Sequence, residues 1–330
     1  MKILIVNNSV IPVTFYGGTQ RVVWGLGKEL HLLGHEVYFL VAKGSHSDFA
    51  KVLFIDDTKD LVSQIPDFID VVHFNLEPEN LDKLKTPYVI TKHGNRNEAN
   101  GFDKNTIFVS KNHAERFGSN SYVHNGLYWD DYSTPTFTDP QDYFHFLGKA
   151  AWRLKNVKGA IKTITNTKSE KIKVLGGKRF NVSMGLRFTL TPRATFYDKV
   201  GGTKKDQLLN NSKGLVFPVK WHEPFGLAII ESLYFGCPVF ATPYGAIPEI
   251  VTEDVGFLSN KSNELTSQIE NYQQFSRKKC HEYVNDVFSS KAMTQNYLKK
   301  YEIVLNGGKL NTERPKLLEE NPPKFLDWSS

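Results

Sequence analysis

The chain has 330 residues, of which 40% are hydrophobic and 23% charged, with 41 Lys+Arg against 35 Asp+Glu. This describes an ordinary globular chain long enough for two domains, each with its own core. It excludes a spanning helix, because no uncharged apolar run reaches about 18 residues. It also excludes a disulfide or zinc framework, because the two cysteines, Cys237 and Cys280, lie far apart.

Met1–Asn7 reads as a short strand, not a signal peptide: it has neither an adequate apolar core nor a small-residue cleavage site. A reducing cytoplasm is the expected setting. Charge is uneven. Residues 1–140 hold 13 basic and 17 acidic side chains, and residues 141–330 hold 28 and 18. Lys149 to Arg179 alone carries ten basic residues and one acid, Glu170. Apart from Trp152 this stretch lacks interleaved aromatics and matches no nucleic-acid motif, so no nucleic-acid partner is expected. A bound diphosphate or contact with an anionic membrane surface explains it as well, and most of these lysines read as a solvated face.

In chain order, Lys2–Asn7 is a strand and the loop through Gly17 and Gly18 feeds a helix. Val22, Val23, Leu26, Leu30 and Leu33 form the buried face of that helix, and Gly34 ends it. His35–Val41 is the next strand. This is a Rossmann-like opening, but the dinucleotide fingerprint is missing: Gly25 and Gly27 fall inside the helix and no third glycine follows. Nicotinamide and flavin enzymes are therefore disfavoured. Further short strands are expected at Val52–Ile55, Val71–Phe74, Tyr88–Thr91 and from Thr106. His73 and His93 fall near carboxyl ends of strands, where open α/β sheets bind ligands. A linker is expected at Asp130–Asp142. Beyond it come strands at Tyr143–Gly148, Lys171–Gly177 and Ala194–Gly201. A short helix is expected at Asp206–Ser212, helices over 262–305, and an extended tail after Asn306.

One stretch organises the second half. Leu215–Pro218 is a buried strand, Lys220–Pro224 a loop, Phe225–Phe235 a helix closed by Gly236, and Pro238–Ala241 another strand, which together make a βαβ crossover. Glu223 lies before the helix and Glu231 roughly 9 Å along its axis. Between them the amides of Phe225, Gly226 and Leu227 would offer first-turn donors to a phosphate. Hydroxyl acceptor, phosphate cradle and hydroxyl acceptor in a row match the layout of a nucleotide sugar.

Glu223-Pro224-Phe225-Gly226-Leu227-Ala228 through Glu231, then Gly236-Cys237-Pro238-Val239, Gly245–Val251 and Gly256-Phe257, resembles the E-x7-E donor site of retaining glycosyltransferases of family 4, glycosyl transferases group 1. The resemblance implies the GT-B fold: α/β, with two Rossmann-like domains whose parallel sheets face a central cleft. The expected divisions are an acceptor-side domain at 1–138, a nucleotide-sugar domain at 139–290, and a returning helix with tail at 291–330.

The resemblance also implies roles. Glu223 would hold sugar hydroxyls, Glu231 the ribose, and His93 the donor sugar. Gly17 and Gly18 would face the distal phosphate. Lys158-Gly159 is similar to the family's Lys-Gly, with Lys158 and Arg153 on the diphosphate and Lys149 in reserve, because residues are inserted after Gly148. Lys178 or Arg179 is a candidate to stack near the base.

No Asp-x-Asp occurs, so a metal-bound diphosphate is not supported and no cofactor is expected. Expected partners are a UDP- or GDP-sugar donor and a carbohydrate or glycolipid acceptor of the cell envelope, with peripheral contact on the inner membrane face. Two other readings stay open: a sugar-nucleotide epimerase of the same fold, and a degenerate nucleotide-sugar-binding subunit.

Overall fold

The computed structural model describes residues 1–13, 17–182, 184 and 186–329. Thr14, Phe15 and Tyr16 of the expected glycine loop lie outside these. The described residues form two units, one of residues 1–13, 17–129 and 288–320, the other of 130–287 and 321–329.

The first unit contains β1 (Lys2–Asn7), α1 (Gly18–Leu32), β2 (Glu36–Val41), β3 (Lys51–Phe54), β4 (Val71–Phe74), β5 (Tyr88–Lys92), β6 (Thr106–Phe108) and α2 (Lys111–Arg116). The strands pair in the order β3-β2-β1-β4-β5-β6, all parallel. Unbroken apolar runs explain this, since β1, β2 and β4 are buried on both faces as parallel strands must be. Gly27 sits mid-helix because a Cβ there would strike the Phe39 ring, so α1 packs closely on β2.

The second unit repeats the plan with β7 (Phe144–Leu147), α3 (Val157–Thr165), β8 (Ile172–Leu175), β9 (Phe180–Asn181), β10 (Arg187–Phe188), β11 (Ala194–Tyr197), α4 (Gly202–Asn210), β12 (Leu215–Phe217), α5 (Leu227–Tyr234), β13 (Val239–Ala241), α6 (Ile247–Ile250), β14 (Gly256–Leu258), α7 (Ser262–Glu270) and α8 (Arg277–Val287). Its parallel sheet runs β11-β8-β7-β12-β13-β14, while β9 and β10 form a separate antiparallel hairpin. Both six-stranded sheets therefore have the doubly wound order, which reverses between β1 and β4 and between β7 and β12. Cys237 and Cys280 are buried free thiols, and burial pushes them up to about 11 and about 12.

Helix α9 (Ser290–Leu305) belongs to the first unit. Ser289 caps it by accepting from the Ala292 amide at 3.2 Å. Tyr297 and Tyr301 reach the sheet through His73. The His73 Nδ1 lies 2.6 Å from the Tyr301 hydroxyl and its Nε2 2.7 Å from Thr91 Oγ1, and Tyr297 packs against the ring at 4.7 Å between centroids. His73 is thus a satisfied core residue. His145 in β7 is similar, held between Ser212 and Ser232 at 2.7 and 2.8 Å.

Two predictions follow from these histidines. Tyr301→Phe leaves a His73 ring nitrogen buried without its partner, and should cost about 1–3 kcal/mol in urea unfolding. An unchanged midpoint would contradict the packing. Burial also lowers His73 and His145 to about 3, with the nearby His93 and Arg277 adding to the effect. Unfolded histidines take up protons near pH 6.5 while these stay neutral. Stability should therefore be full above about pH 6.5 and fall as pH drops toward the folded values. Unfolding midpoints measured from pH 7.5 to 5 check this.

Candidate active site

In a doubly wound sheet the crossovers send the loops at the strand carboxyl ends into one crevice where the strand order reverses. In the second unit those loops follow β7 and β12. They are joined directly, with the Lys220 amide donating to the Leu154 carbonyl at 2.7 Å. Glu223 lies in the loop after β12. Gly245 backs against it: the two residues bridge, the Ala246 amide donates to the Glu223 carbonyl at 2.9 Å, and a Cβ on Gly245 would collide with the Glu223 backbone. At Gly245 φ is +67°, so both shape and backbone call for glycine.

The Glu223 carboxylate is buried, with 8% of its side chain exposed. Its Oε2 accepts from Lys155 Nζ at 2.6 Å and from Trp221 Nε1 at 2.8 Å. The Lys155 ammonium also lies 5.0 Å from the Phe217 ring, 5.1 Å from Trp221 and 5.8 Å from Trp152. A cation and an anion are thus held together against aromatic faces at the reversal point, where their attraction is little screened.

The cations assigned to the diphosphate from sequence lie apart from this pair. Lys158 and Arg153 do not meet Glu223; both are exposed and line a neighbouring cavity of about 470 Å³ together with Arg187, Lys220, Trp152 and Phe325. The reason is local. Asn156, at φ +53°, caps α3 by accepting from the Gly159 amide at 3.1 Å. The helix therefore begins at Val157 and turns Lys158 outward, leaving Lys155 in the preceding 3-10 turn. An Asn three residues before a Gly at a helix start was the available signal. Lys149 follows Gly148 directly and is exposed.

Helix α5 starts at Leu227, two residues later than expected, with Gly226 as its cap and the Phe225 side chain buried before it. Glu231 is buried within this helix. It accepts from the Tyr132 hydroxyl at 2.8 Å and pairs with Lys205, whose ammonium lies 4.9 Å from the Tyr132 ring. Each glutamate of the motif therefore already has its own lysine. Lys178 pairs with Asp198 at 3.2 Å, and Arg179 donates to the carbonyls of Thr189 and Thr191 at 2.8 and 3.0 Å.

The tail also meets this edge. Leu326 donates to the Lys220 carbonyl at 2.9 Å, Tyr244 donates to the Asp327 carbonyl at 2.7 Å, and the Phe325 ring lies 5.2 Å from both the Arg153 and Lys220 cations. Sequence read this segment as part of the extended tail after Asn306.

In the first unit, Gly17 caps α1 in extended backbone and Gly18 is its first residue. His93 follows β5. Its Nε2 lies 2.9 Å from Asn75 Oδ1, and the Asn75 amide donates to the Val6 carbonyl at 2.9 Å. The pair therefore sits at the carboxyl edge between β1, β4 and β5. Because Oδ1 only accepts, Nε2 carries the proton. Burial, and then Lys92, lowers His93 to about 4, so the ring is neutral at physiological pH.

Residues 134–296 match the family model for glycosyl transferases group 1. The group 1 match contains both glutamates, Lys155 and all of the basic cavity except Phe325. No curated protein matches the chain by sequence. Among solved structures, AviGT4, a glycosyltransferase involved in avilamycin A biosynthesis, is similar at 17% identity over 94% of this chain and 99% of that one, with a TM-score of 0.75. Sucrose-phosphate synthase from Thermosynechococcus elongatus is similar at 16% identity over 93% and 100%, TM-score 0.70. HepE from Anabaena, in complex with UDP-glucose, is similar at 15% identity over 92% and 99%, TM-score 0.65. At these identities the likeness shows the fold, which is the two-unit, parallel-sheet α/β fold of GT-B glycosyltransferases.

Lys155→Ala leaves the Glu223 carboxylate buried and unpaired, and should cost about 3–5 kcal/mol in urea unfolding. Lys158→Ala, at an exposed position, should change stability by less than about 0.5 kcal/mol. Equal small losses in both variants would mean that the Lys155–Glu223 pair is not formed in solution.

Proposed function

We propose that this protein is a glycosyltransferase that moves a sugar from a UDP- or GDP-sugar to a hydroxyl of a carbohydrate or glycolipid acceptor. Transfer proceeds with retention at the anomeric carbon and without a metal ion. The observation that carries this reading is the buried Glu223–Lys155 pair before α5, at the strand-order reversal and inside the group 1 match. HepE, of similar fold, is known in complexes with UDP and UDP-glucose, which supports starting from uridine donors.

In the reaction the bond between the anomeric carbon and the diphosphate oxygen breaks, and a bond from the acceptor oxygen to that carbon forms. The acceptor proton passes to solvent. Charge develops on the departing diphosphate, and Lys155, Arg153 and Lys158 stabilise it together with the amides that open α5; Lys149 stands in reserve. Arg153 contributes a bidentate fork, the lysines point charges. Glu223 is held through Oε2 by Lys155 and Trp221, so it presents a pre-oriented carboxylate to the sugar hydroxyls. Glu231 accepts ribose hydroxyls in place of the Tyr132 hydroxyl. By the family resemblance, Gly17 and Gly18 face the donor's distal phosphate and the neutral His93 reaches its sugar. The setting is cytoplasmic, in the synthesis of a cell-envelope glycan.

A thermal-shift panel of UDP-, GDP- and ADP-sugars should single out one donor base, and transfer assays with that donor should then reveal the acceptor. Glu223→Gln and Lys158→Ala should each lower turnover on the order of 100-fold while the protein stays folded. A fully active Lys158→Ala would remove that residue from the phosphate site. Chelator should leave the rate unchanged, and strict dependence on a divalent ion would contradict the metal-free reading. Conversion of the donor to another free nucleotide sugar without any acceptor would point to an epimerase instead.

A further inference from the structure

The β9–β10 hairpin has its amphipathic pattern inside out. A hairpin on a globular domain turns its apolar face to the core and its polar face to water. Here Phe180, Val182, Met184, Leu186, Phe188 and Leu190 alternate along the chain and are all 51% to 81% exposed. Of the described residues between them, Arg187 and Thr189 turn inward. Arg187 is buried and donates to the Lys178 carbonyl at 2.9 Å, Thr189 is buried, and Arg179 ties the hairpin base to the Thr189 and Thr191 carbonyls at 2.8 and 3.0 Å. Both guanidinium groups also lie against the Phe196 ring, at 5.6 Å for Arg179 and 5.3 Å for Arg187. Phe180 and Phe188 face each other across the strands with ring centroids 6.1 Å apart. The hairpin is therefore anchored by its polar side chains and displays its apolar ones.

We propose that this exposed face docks on an anionic lipid bilayer. Charge decides between the possible occupants. Met184 and Leu186 border the same cavity as Arg153, Lys158 and Lys220, and among the described residues no acidic side chain lines it. Exposed apolar side chains beside unopposed cations fit the boundary between acyl chains and anionic headgroups. A second copy of the chain would bring the same cations against these, so stripe-to-stripe pairing is opposed. An apolar patch on a protein partner would leave the cations uncompensated. None of the displayed apolar side chains was assigned to the nucleotide sugar, whereas Arg153 and Lys158 are shared with the proposed diphosphate site, so the test varies the hairpin alone.

The test is co-sedimentation of the full chain with vesicles of phosphatidylcholine alone or mixed equally with phosphatidylglycerol. The chain should bind the mixed vesicles, bind the neutral ones far less, and release as salt is raised. The triple variant V182S/F188S/L190S should lose binding by about tenfold or more while keeping its melting temperature and its thermal shift with UDP-sugar. V182S/L190S, which keeps the Phe180–Phe188 contact, should lose an intermediate amount and guards against local unfolding. Equal binding by wild type and both variants would overturn the proposal. So would a dimer in vesicle-free light scattering that these substitutions dissociate, which would make the face a self-interface.

Discussion

The buried Lys155–Glu223 ion pair constrains everything around it. Two charges withdrawn from water carry a large desolvation cost, offset only if each finds good partners in good geometry. Lys155 has the carboxylate and three aromatic rings; Glu223 has the ammonium and the Trp221 indole. Those contacts tie the loop after β7 to the loop after β12, which the Lys220–Leu154 hydrogen bond also joins. They explain why Gly245 must lack a side chain and why α3 must begin at Val157, with Asn156 as its cap. A different cap position would move Lys155 out of reach.

The parallel strand order supplies the setting. Each crossover returns the chain so that successive strands end on the same edge, and the reversal between β7 and β12 leaves room there. The first unit uses the same arrangement around His93 and Asn75. The two edges differ in charge. His93 is kept neutral by burial and by Lys92, whereas the second unit gathers Lys155, Arg153, Lys158 and Lys220. That division matches the uneven charge along the chain, acidic in residues 1–140 and basic beyond.

Basic residues in this unit do three different jobs. Lys155 and Lys205 are buried partners of glutamates. Arg153, Lys158 and Lys220 line an open cavity. Arg179 and Arg187 spend their donors on carbonyls that anchor a hairpin. Composition counts these residues alike. Their chemistry differs because a paired, buried cation is fixed in place, while an exposed one stays available to an anion.

The sequence alone determined the α/β class, the strands of the parallel sheets and most helices, but not the β9–β10 hairpin, because runs such as Lys2–Asn7 and Val71–Phe74 are apolar throughout and fit only buried parallel strands. It also marked the stretch from Glu223 to Glu249, since helix start, glycines and carboxylates there lie close in the chain. The family likeness came from the same residues. Tertiary structure decided which lysine meets Glu223, because that depends on a helix boundary set by one capping side chain. It decided that Glu231 is engaged by Lys205 and Tyr132, which are distant in sequence. It placed Phe325 against Arg153 and Lys220. It also turned an alternating pattern at Phe180–Leu190 outward. A period of two tells which residues share a face, and only the packing of the whole unit tells which face meets water.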